Sequence, residues 1–330
     1  MENLPFLAPV AADMQRVDGV IRARLGSDVA LVRQVAEYIV GGGGKRLRPA
    51  LVLLSAGAAG YPEKSAGKSG GEGHYELAAV VEFIHTATLL HDDVVDGSGR
   101  RRGRNTANVE FGNAAAVLVG DFLYSRAFQM MVGVGSMRVM QALADATNTI
   151  AEGEVLQLMN CHDPAVSEDR YLDVIRRKTA KLFEAAARLG ALLADAPPAV
   201  EAGLAEYGTR LGTAFQLIDD VLDYSGDAAA IGKSLGDDLA EGKPTLPLIR
   251  TIACGTPAQA DIVRRAIVDG GRDDFLQVLA AVRATGALEY ARAVATREAE
   301  GARAALQVLP ASGYRDSLLE LASFSVVRKS

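Results

Sequence analysis

The sequence predicts an all-α fold, a single-domain helical bundle over residues 1–330, and three observations carry that reading. Apolar side chains recur at the helical period over long stretches, strand signals are scarce, and no solenoid-type repeat divides the chain. With 49% hydrophobic and 23% charged residues among 330, the chain can bury a large core and shows no signature of disorder.

The elements follow in chain order. Glycines 41–44 break the N-terminal part. Residues 49–62 form the longest uncharged run, 14 residues bounded by Pro49 and Pro62, short of the roughly 20 that a membrane-spanning helix needs. The loop YPEKSAGKSGGEGH at 61–74 is rich in Gly, Ser and Lys, reads as mobile, and is too short to separate domains. Residues 76–96, ELAAVVEFIHTATLLHDDVVD, place Leu77, Val80, Val81, Ile84, Leu89 and Leu90 at helical spacing with no turn signal. That helix stops at GSGRRRG, 97–103. Further long helices are expected at 113–132, 136–160, 167–194 and 200–225, with APPA at 196–199 between the last two. Shorter ones follow between 245 and 328, broken by GTP at 255–257. The interior of such a bundle can hold a site made from side chains on facing helices.

Charge and cysteine content narrow the partners. A net charge of −6 gives no cationic excess for nucleic acid, so basic clusters must serve something small. Cys161 and Cys254 make no disulfide framework, which suits a reducing compartment. The N-terminal MENLPFLAPVAADMQR lacks the apolar core of a secretory signal. A soluble, cytoplasmic protein without a membrane span is expected.

Two acidic clusters carry the chemistry. At 100° per residue Asp92 and Asp96 share one helix face, with Thr88 one turn earlier and His85 two turns earlier. Clustered carboxylates in an apolar helix are costly unless cations neutralise them. Hydrated surface aspartates bridged to Arg100–Arg104 are the plain alternative for this stretch alone. A second helix repeats the pattern, with Asp219, Asp220 and Asp223 at the spacing of Asp92, Asp93 and Asp96. If the two helices face each other across a bundle, the six carboxylates line one cavity mouth. Hard oxygen ligands suit Mg²⁺, which takes one or two carboxylates and completes its shell with water and phosphate oxygens. His74, His85, His91 and His162 show no zinc spacing with either cysteine.

The basic groups match. GGGGKRLRPA at 41–50 presents Lys45, Arg46 and Arg48 after four glycines. It is not a nucleotide-binding P-loop, because Arg46 follows the lysine and Ile39 stands where the first glycine belongs. Flexible backbone followed by cations still suits an anion, and Lys and Arg at a helix N-terminus oppose the dipole unless an anion is present. Two cationic sets beside two acidic ones point to two phosphorylated groups bound side by side.

These segments carry a family resemblance. GGGGKRLRP, LLHDDVVD followed by RRGRNTAN, GDFLYSRAF, EGEVLQL, RKTAKLFEAA, FQLIDDVLD and GKSLGDDLAEGKPTLPLI resemble, in order over roughly residues 30–250, the trans-polyprenyl diphosphate synthases, most of all their bacterial octaprenyl branch. The 61–74 loop looks longer than usual for that family. The resemblance implies the isoprenoid synthase type of helical bundle with a central active-site cavity, Mg²⁺ as cofactor, and a homodimer. Asp92, Asp96 and Asp219 would hold Mg²⁺ most directly, with Asp93, Asp220 and Asp223 in the same shell. Lys45, Arg48, His85 and Arg102 would take isopentenyl diphosphate. Arg101, Lys178, Thr179 and Gln216 would contact an allylic diphosphate, while Lys233 and Lys243 add positive charge. Loss of diphosphate leaves an allylic cation that needs a dry pocket lined by weakly nucleophilic dipoles. Thr179, Gln216 and the Phe215 ring suit it, although a lone aromatic on an apolar helix reads as well as core.

Product length is read from the wall of the cavity. Ala87 and Thr88, just before the first acidic cluster, are small where related shorter-chain enzymes often carry an aromatic ring. The floor is then expected lower, at Phe128 and Met131, side chains that read equally as core. The implied activity is extension of farnesyl diphosphate by isopentenyl diphosphate to a long, lipid-like polyprenyl diphosphate for a quinone side chain. Octaprenyl is the expected length, with nona- or decaprenyl next and a shorter chain behind them. A non-catalytic partner subunit tends to lose one Asp cluster or the basic motif, and both are intact here. A terpene cyclase carries a different second metal motif, and a Mg²⁺-dependent phosphohydrolase leaves the second cationic set unexplained.

Overall fold

The computed structural model describes residues 4–61, 72–225, 235–271 and 273–328. The expected 61–74 loop falls largely outside them, as does Lys233. In chain order the helices are α1 (Ala11–Arg24), α2 (Ala30–Val40), α3 (Leu47–Ala58), α4 (Gly73–Val95), α5 (Ala107–Phe111), α6 (Asn113–Val134), α7 (Met137–Asn160), α8 (Glu168–Ile175), α9 (Lys181–Leu193) and α10 (Pro198–Ser225). Further helices span Asp237–Ala240, Leu246–Cys254, Pro257–Asp269, Phe275–Ala284, Ala287–Ala305 and Gly313–Val327. The all-α expectation holds, and the long helices lie within three residues of where periodicity puts them. No helix among the described residues is long and apolar enough to cross a membrane.

Two local features depart from the sequence reading. The arginine-rich break forms a minimal antiparallel hairpin, Arg100–Arg101 against Arg104–Asn105. Arg102 and Gly103 turn it with φ of 51° and 75°, the pair of positive angles that matches the twist of a two-residue hairpin. The helix expected over 167–194 is interrupted by a π turn at Arg176–Ala180, carrying Lys178 and Thr179. Single π turns inside α-helices mark functional positions. Here the turn lies close against α7, where a Cβ at Gly153 would stand 2.6 Å from the Lys178 backbone nitrogen.

Capping explains other boundaries. Ser167 accepts from the Arg170 N–H at the start of α8, with Glu168 and Asp169 in its first turn. The GTP break is a capping box: Thr256 and Gln259 bond each other's backbone N–H, and Pro257 occupies the first turn.

By internal contacts the chain divides into two compact units. The first comprises Met1–Thr147, Leu182–Gly208 and Ala305–Leu321, the second Asn148–Lys181, Thr209–Ala304 and Ala322–Ser330. In the first unit α4 packs along α6, burying Leu77, Val80, Val81, Ile84, Ala87 and Leu90 on one helix and Ala116, Val119, Leu123, Ala127 and Met131 on the other. Gly120 makes room there for the His91 imidazole, which a Cβ would strike. The core of the second unit gathers Leu217, Ile218, Val221 and Tyr224 with Leu239, Leu246, Val263, Ile267, Val278 and Val282.

Candidate active site

In the first unit the expected site residues collect at the end of α4 and the two loops beside it. Asp92 and Asp96 are half-buried in its last turn, and the Asp96 N–H closes the helix on the Asp92 carbonyl at 2.8 Å. Carboxylates at the negative end of a helix dipole gain from a cation. Asp93 behaves differently. It is fully buried, and its Oδ1 accepts from Arg101 Nε at 3.0 Å and Nη2 at 2.7 Å. Asn108 Nδ2 donates to the Asp93 carbonyl at 3.1 Å, and Thr106 Oγ1 to the Ser98 carbonyl at 2.7 Å. Asp93 thereby anchors the arginine hairpin to α4. The sequence put it in the shell of Asp92 and Asp96; the structure places its carboxylate on Arg101.

The glycine run has a mechanical reason. Arg102 donates to the Gly43 carbonyl, and a Cβ at Gly44, whose φ is +133°, would lie 2.6 Å from the Arg102 guanidinium. The positive φ is what favours glycine there, since the guanidinium end of Arg102 could shift. Arg46 is tied away to Glu82 at 2.9 Å and Asp18 at 3.3 Å, whereas Lys45 and Arg48 are half-buried in the same turn. Arg48 Nη1 donates to His85 Nε2 at 3.2 Å and its guanidinium stacks 4.4 Å over the Phe183 ring. Burial, then Arg48, Arg102 and Arg101, hold His85 well below the usual imidazole range, so it is neutral and can accept from Arg48. The expected isopentenyl cations Arg48 and Arg102 thus share His85 as a neighbour. Ala87 and Met131 are fully buried and Phe128 is half-buried. Thr88 Oγ1 donates to the His85 carbonyl at 2.8 Å.

In the second unit the expected acidic site residues sit on the last turns of α10. Asp219 is exposed, with a side chain 47% accessible, and its Oδ1 accepts from Arg328 Nη2 at 2.7 Å. Asp220 is buried and receives Tyr171 Oη at 2.5 Å and Gln216 Nε2 at 2.8 Å. Burial, with Asp238 nearby, pushes its carboxyl well above the usual range. Asp223 takes backbone N–H donors from Gly236 (3.1 Å), Asp237 (3.2 Å) and Asp238 (3.3 Å). Its carboxyl is raised to about 8, chiefly by burial and then by Asp238. It holds the start of the Asp237–Ala240 helix, in a loop that also carries Lys243, which pairs with Glu241. On the π turn Lys178 pairs with Glu154 at 2.6 Å, and Thr179 Oγ1 donates to Gln216 Oε1 at 3.0 Å.

The Phe215 ring, expected to face a carbocation, carries Arg328 3.7 Å above its centroid. Sequence reasoning missed Arg328 and Tyr171: neither stands in a motif, and their partners lie 109 and 49 residues away.

Carboxylate oxygens are the donors that a hard divalent cation takes. In the first unit Asp92 and Asp96 are half-buried and Asp93 is buried against Arg101; in the second Asp219 is exposed beside Arg328, while Asp220 and Asp223 receive Tyr171 with Gln216 and the 236–238 backbone. No group of three or more His, Cys, Asp or Glu side chains among the described residues forms a ready cage. Mg²⁺ needs none, since it binds through one or two carboxylates together with substrate phosphates and water.

A family model described as polyprenyl synthetase matches residues 29–282. The octaprenyl diphosphate synthase of Escherichia coli (strain K12) is 54% identical over 319 residues, 96% of each chain. An all-trans-nonaprenyl-diphosphate synthase (geranyl-diphosphate specific) of Rhodobacter capsulatus is 47% identical over 324 residues, covering 98% of this chain and 97% of the relative. Among solved structures, the polyprenyl synthase from Caulobacter crescentus CB15, complexed with calcium and isoprenyl diphosphate, superposes with a TM-score of 0.93 at 45% identity, over 98% of this chain and 97% of that one.

Proposed function

The chain belongs to the polyprenyl synthetase family, and from that premise we propose that it extends an allylic diphosphate, farnesyl diphosphate first, with isopentenyl units to octaprenyl diphosphate for a quinone side chain. It is a prenyltransferase; nona- or decaprenyl is the alternative length. One observation supports the assignment of roles: in each of two matching clusters the first aspartate is accessible, Asp92 half-buried and Asp219 exposed, while the second, Asp93 or Asp220, is buried against protein donors.

Asp92, Asp96 and Asp219 would hold Mg²⁺, which when bound stabilises the departing diphosphate as a Lewis acid. Asp93, Asp220 and Asp223 shape the metal site from behind, through Arg101, Gln216 and the Asp237 loop. Lys45, Arg48 and Arg102 grip isopentenyl diphosphate, with neutral His85 steadying Arg48. Arg101 and Lys178 take the allylic diphosphate, with Lys233 and Lys243 adding charge. The allylic C–O bond breaks and its electron pair leaves with the diphosphate. Thr179 and Gln216 face the cation with oxygen dipoles that do not add to it. The isopentenyl double bond then attacks, and the adjacent carbon gives its proton to the departed diphosphate. No nucleophilic side chain is required.

All 330 residues serve one synthase domain, a reading supported by a family match that takes in parts of both compact units. A homodimer is supported by exposed Leu118, Val132 and Met137 on α6 and at the start of α7. The enzyme works in the cytoplasm and binds no nucleic acid.

Incubation with farnesyl diphosphate, isopentenyl diphosphate and Mg²⁺ tests the reading by mass spectrometry of the products. Chain elongation is expected; cyclic hydrocarbon, phosphate release alone or no reaction each contradicts it. Asp92→Ala should lower turnover on the order of a thousandfold with the fold retained.

A further inference from the structure

The second unit contains a hydrogen-bond chain with a fixed direction. Asp220 is 2% exposed and Tyr171 6%. Tyr171 Oη donates to Oδ2 at 2.5 Å, and Gln216 turns its amide nitrogen to Oδ1 at 2.8 Å. That choice fixes the other end of the amide. The Gln216 carbonyl oxygen then faces Thr179, whose single hydroxyl hydrogen is committed to it at 3.0 Å. Whatever else approaches Thr179 Oγ1 meets lone pairs only.

We infer that Tyr171 is a positioning residue of the transferase reaction, a role that rests on the function proposed above. Its hydroxyl holds the plane of the Asp220 carboxylate, the carboxylate orients Gln216, and Gln216 keeps the Thr179 oxygen turned as an acceptor-only dipole, the polarity that stabilises a developing allylic cation. The π turn presents Thr179, and Gly153 admits the close backbone approach that seats it. Tyr171 lies on α8, packed in the core with Leu217, Ile218 and Val221, so its ring stays put whether or not its hydroxyl is present.

Tyr171→Phe removes the oxygen alone. With farnesyl diphosphate, isopentenyl diphosphate and Mg²⁺, the full-length variant should lose about tenfold to a hundredfold in kcat, the cost of leaving a buried acceptor without its donor. KM for isopentenyl diphosphate should stay within about twofold, since its cations are not on this chain of bonds. In a double-mutant cycle with Thr179→Val, the second substitution should cost much less in the Tyr171→Phe background than in wild type. Multiplicative losses, or a lowered melting temperature with kcat unchanged, would overturn the inference. Should Tyr171→Phe not fold, Asp220→Asn carries the same cycle, because an amide there lets Gln216 reverse. If wild type itself fails to elongate, the functional reading falls and the variants are not compared.

Discussion

Arg328→Ala takes a cation from beside the second acidic cluster, and the structure sets the size of the loss. Nη2 donates at 2.7 Å to the Phe215 carbonyl and at 2.7 Å to Asp219 Oδ1, with the guanidinium over the Phe215 ring. A charged donor on a buried carbonyl is worth about 1.5–3 kcal/mol, and the ring contact about 1 kcal/mol. The ion pair adds less than about 1 kcal/mol, because the Asp219 side chain is 47% exposed and solvent screens it. Against these stands the Arg328 Nε, buried without an acceptor, a cost of about 1–3 kcal/mol that alanine relieves. The net loss is then about 2 kcal/mol. At roughly 2 cal/mol/K of unfolding entropy per residue over the whole chain, that lowers the melting temperature by about 3 °C. The same substitution frees Asp219 from a competing cation, so half-maximal activity should need less Mg²⁺. Thermal unfolding followed by circular dichroism, and a Mg²⁺ titration of the elongation rate, read the two effects. An unchanged melting temperature together with an unchanged Mg²⁺ midpoint would refute the reasoning.

Three further outcomes follow from the same contacts. Ala87→Tyr inserts a ring at a fully buried wall position; it should shorten the product to about three or four isoprene units while costing about 1–3 kcal/mol in overpacking. Products extracted from the variant and sized by mass spectrometry check this, and an unaltered length would place the gate elsewhere. Lys45→Ala and Arg48→Ala should chiefly raise KM for isopentenyl diphosphate and Arg101→Ala that for the allylic substrate, so steady-state kinetics showing the reverse would break the two-site map. His74, buried and stacked 3.7 Å from the Tyr75 ring and 4.9 Å from that of Tyr61, is pushed down to about 4, chiefly by burial. Between pH 6.5 and 4 the unfolded chain therefore binds a proton that the folded one refuses. Stability should fall by up to about 3 kcal/mol as pH drops through that window and level off below it. His74→Phe should flatten that slope in denaturant titrations; an identical slope would assign the acid sensitivity to other groups.

The helices were legible because amphipathic periodicity is local: each turn of α4, α6 and α10 repeats its apolar residues within four positions, and the breaks at Gly41–Gly44, APPA and GTP are short-range signals. The two acidic clusters were legible for the same reason, since spacing along one helix suffices to put Asp92 with Asp96. Their division of labour was not. What each aspartate meets depends on residues outside its own helix turn, from 8 to 109 positions away: Arg101 and its hairpin for Asp93, the Asp237 backbone for Asp223, Tyr171 for Asp220, Arg328 for Asp219. The π turn under Lys178 and Thr179 was equally hidden, because its sequence is a good α-helix and only the close packing of Gly153 accompanies the extra residue. Composition and period thus determined the all-α class and the residue types of the site. Hydrogen-bond geometry and burial, which act between side chains wherever the chain happens to bring them, decided what each of those residues does.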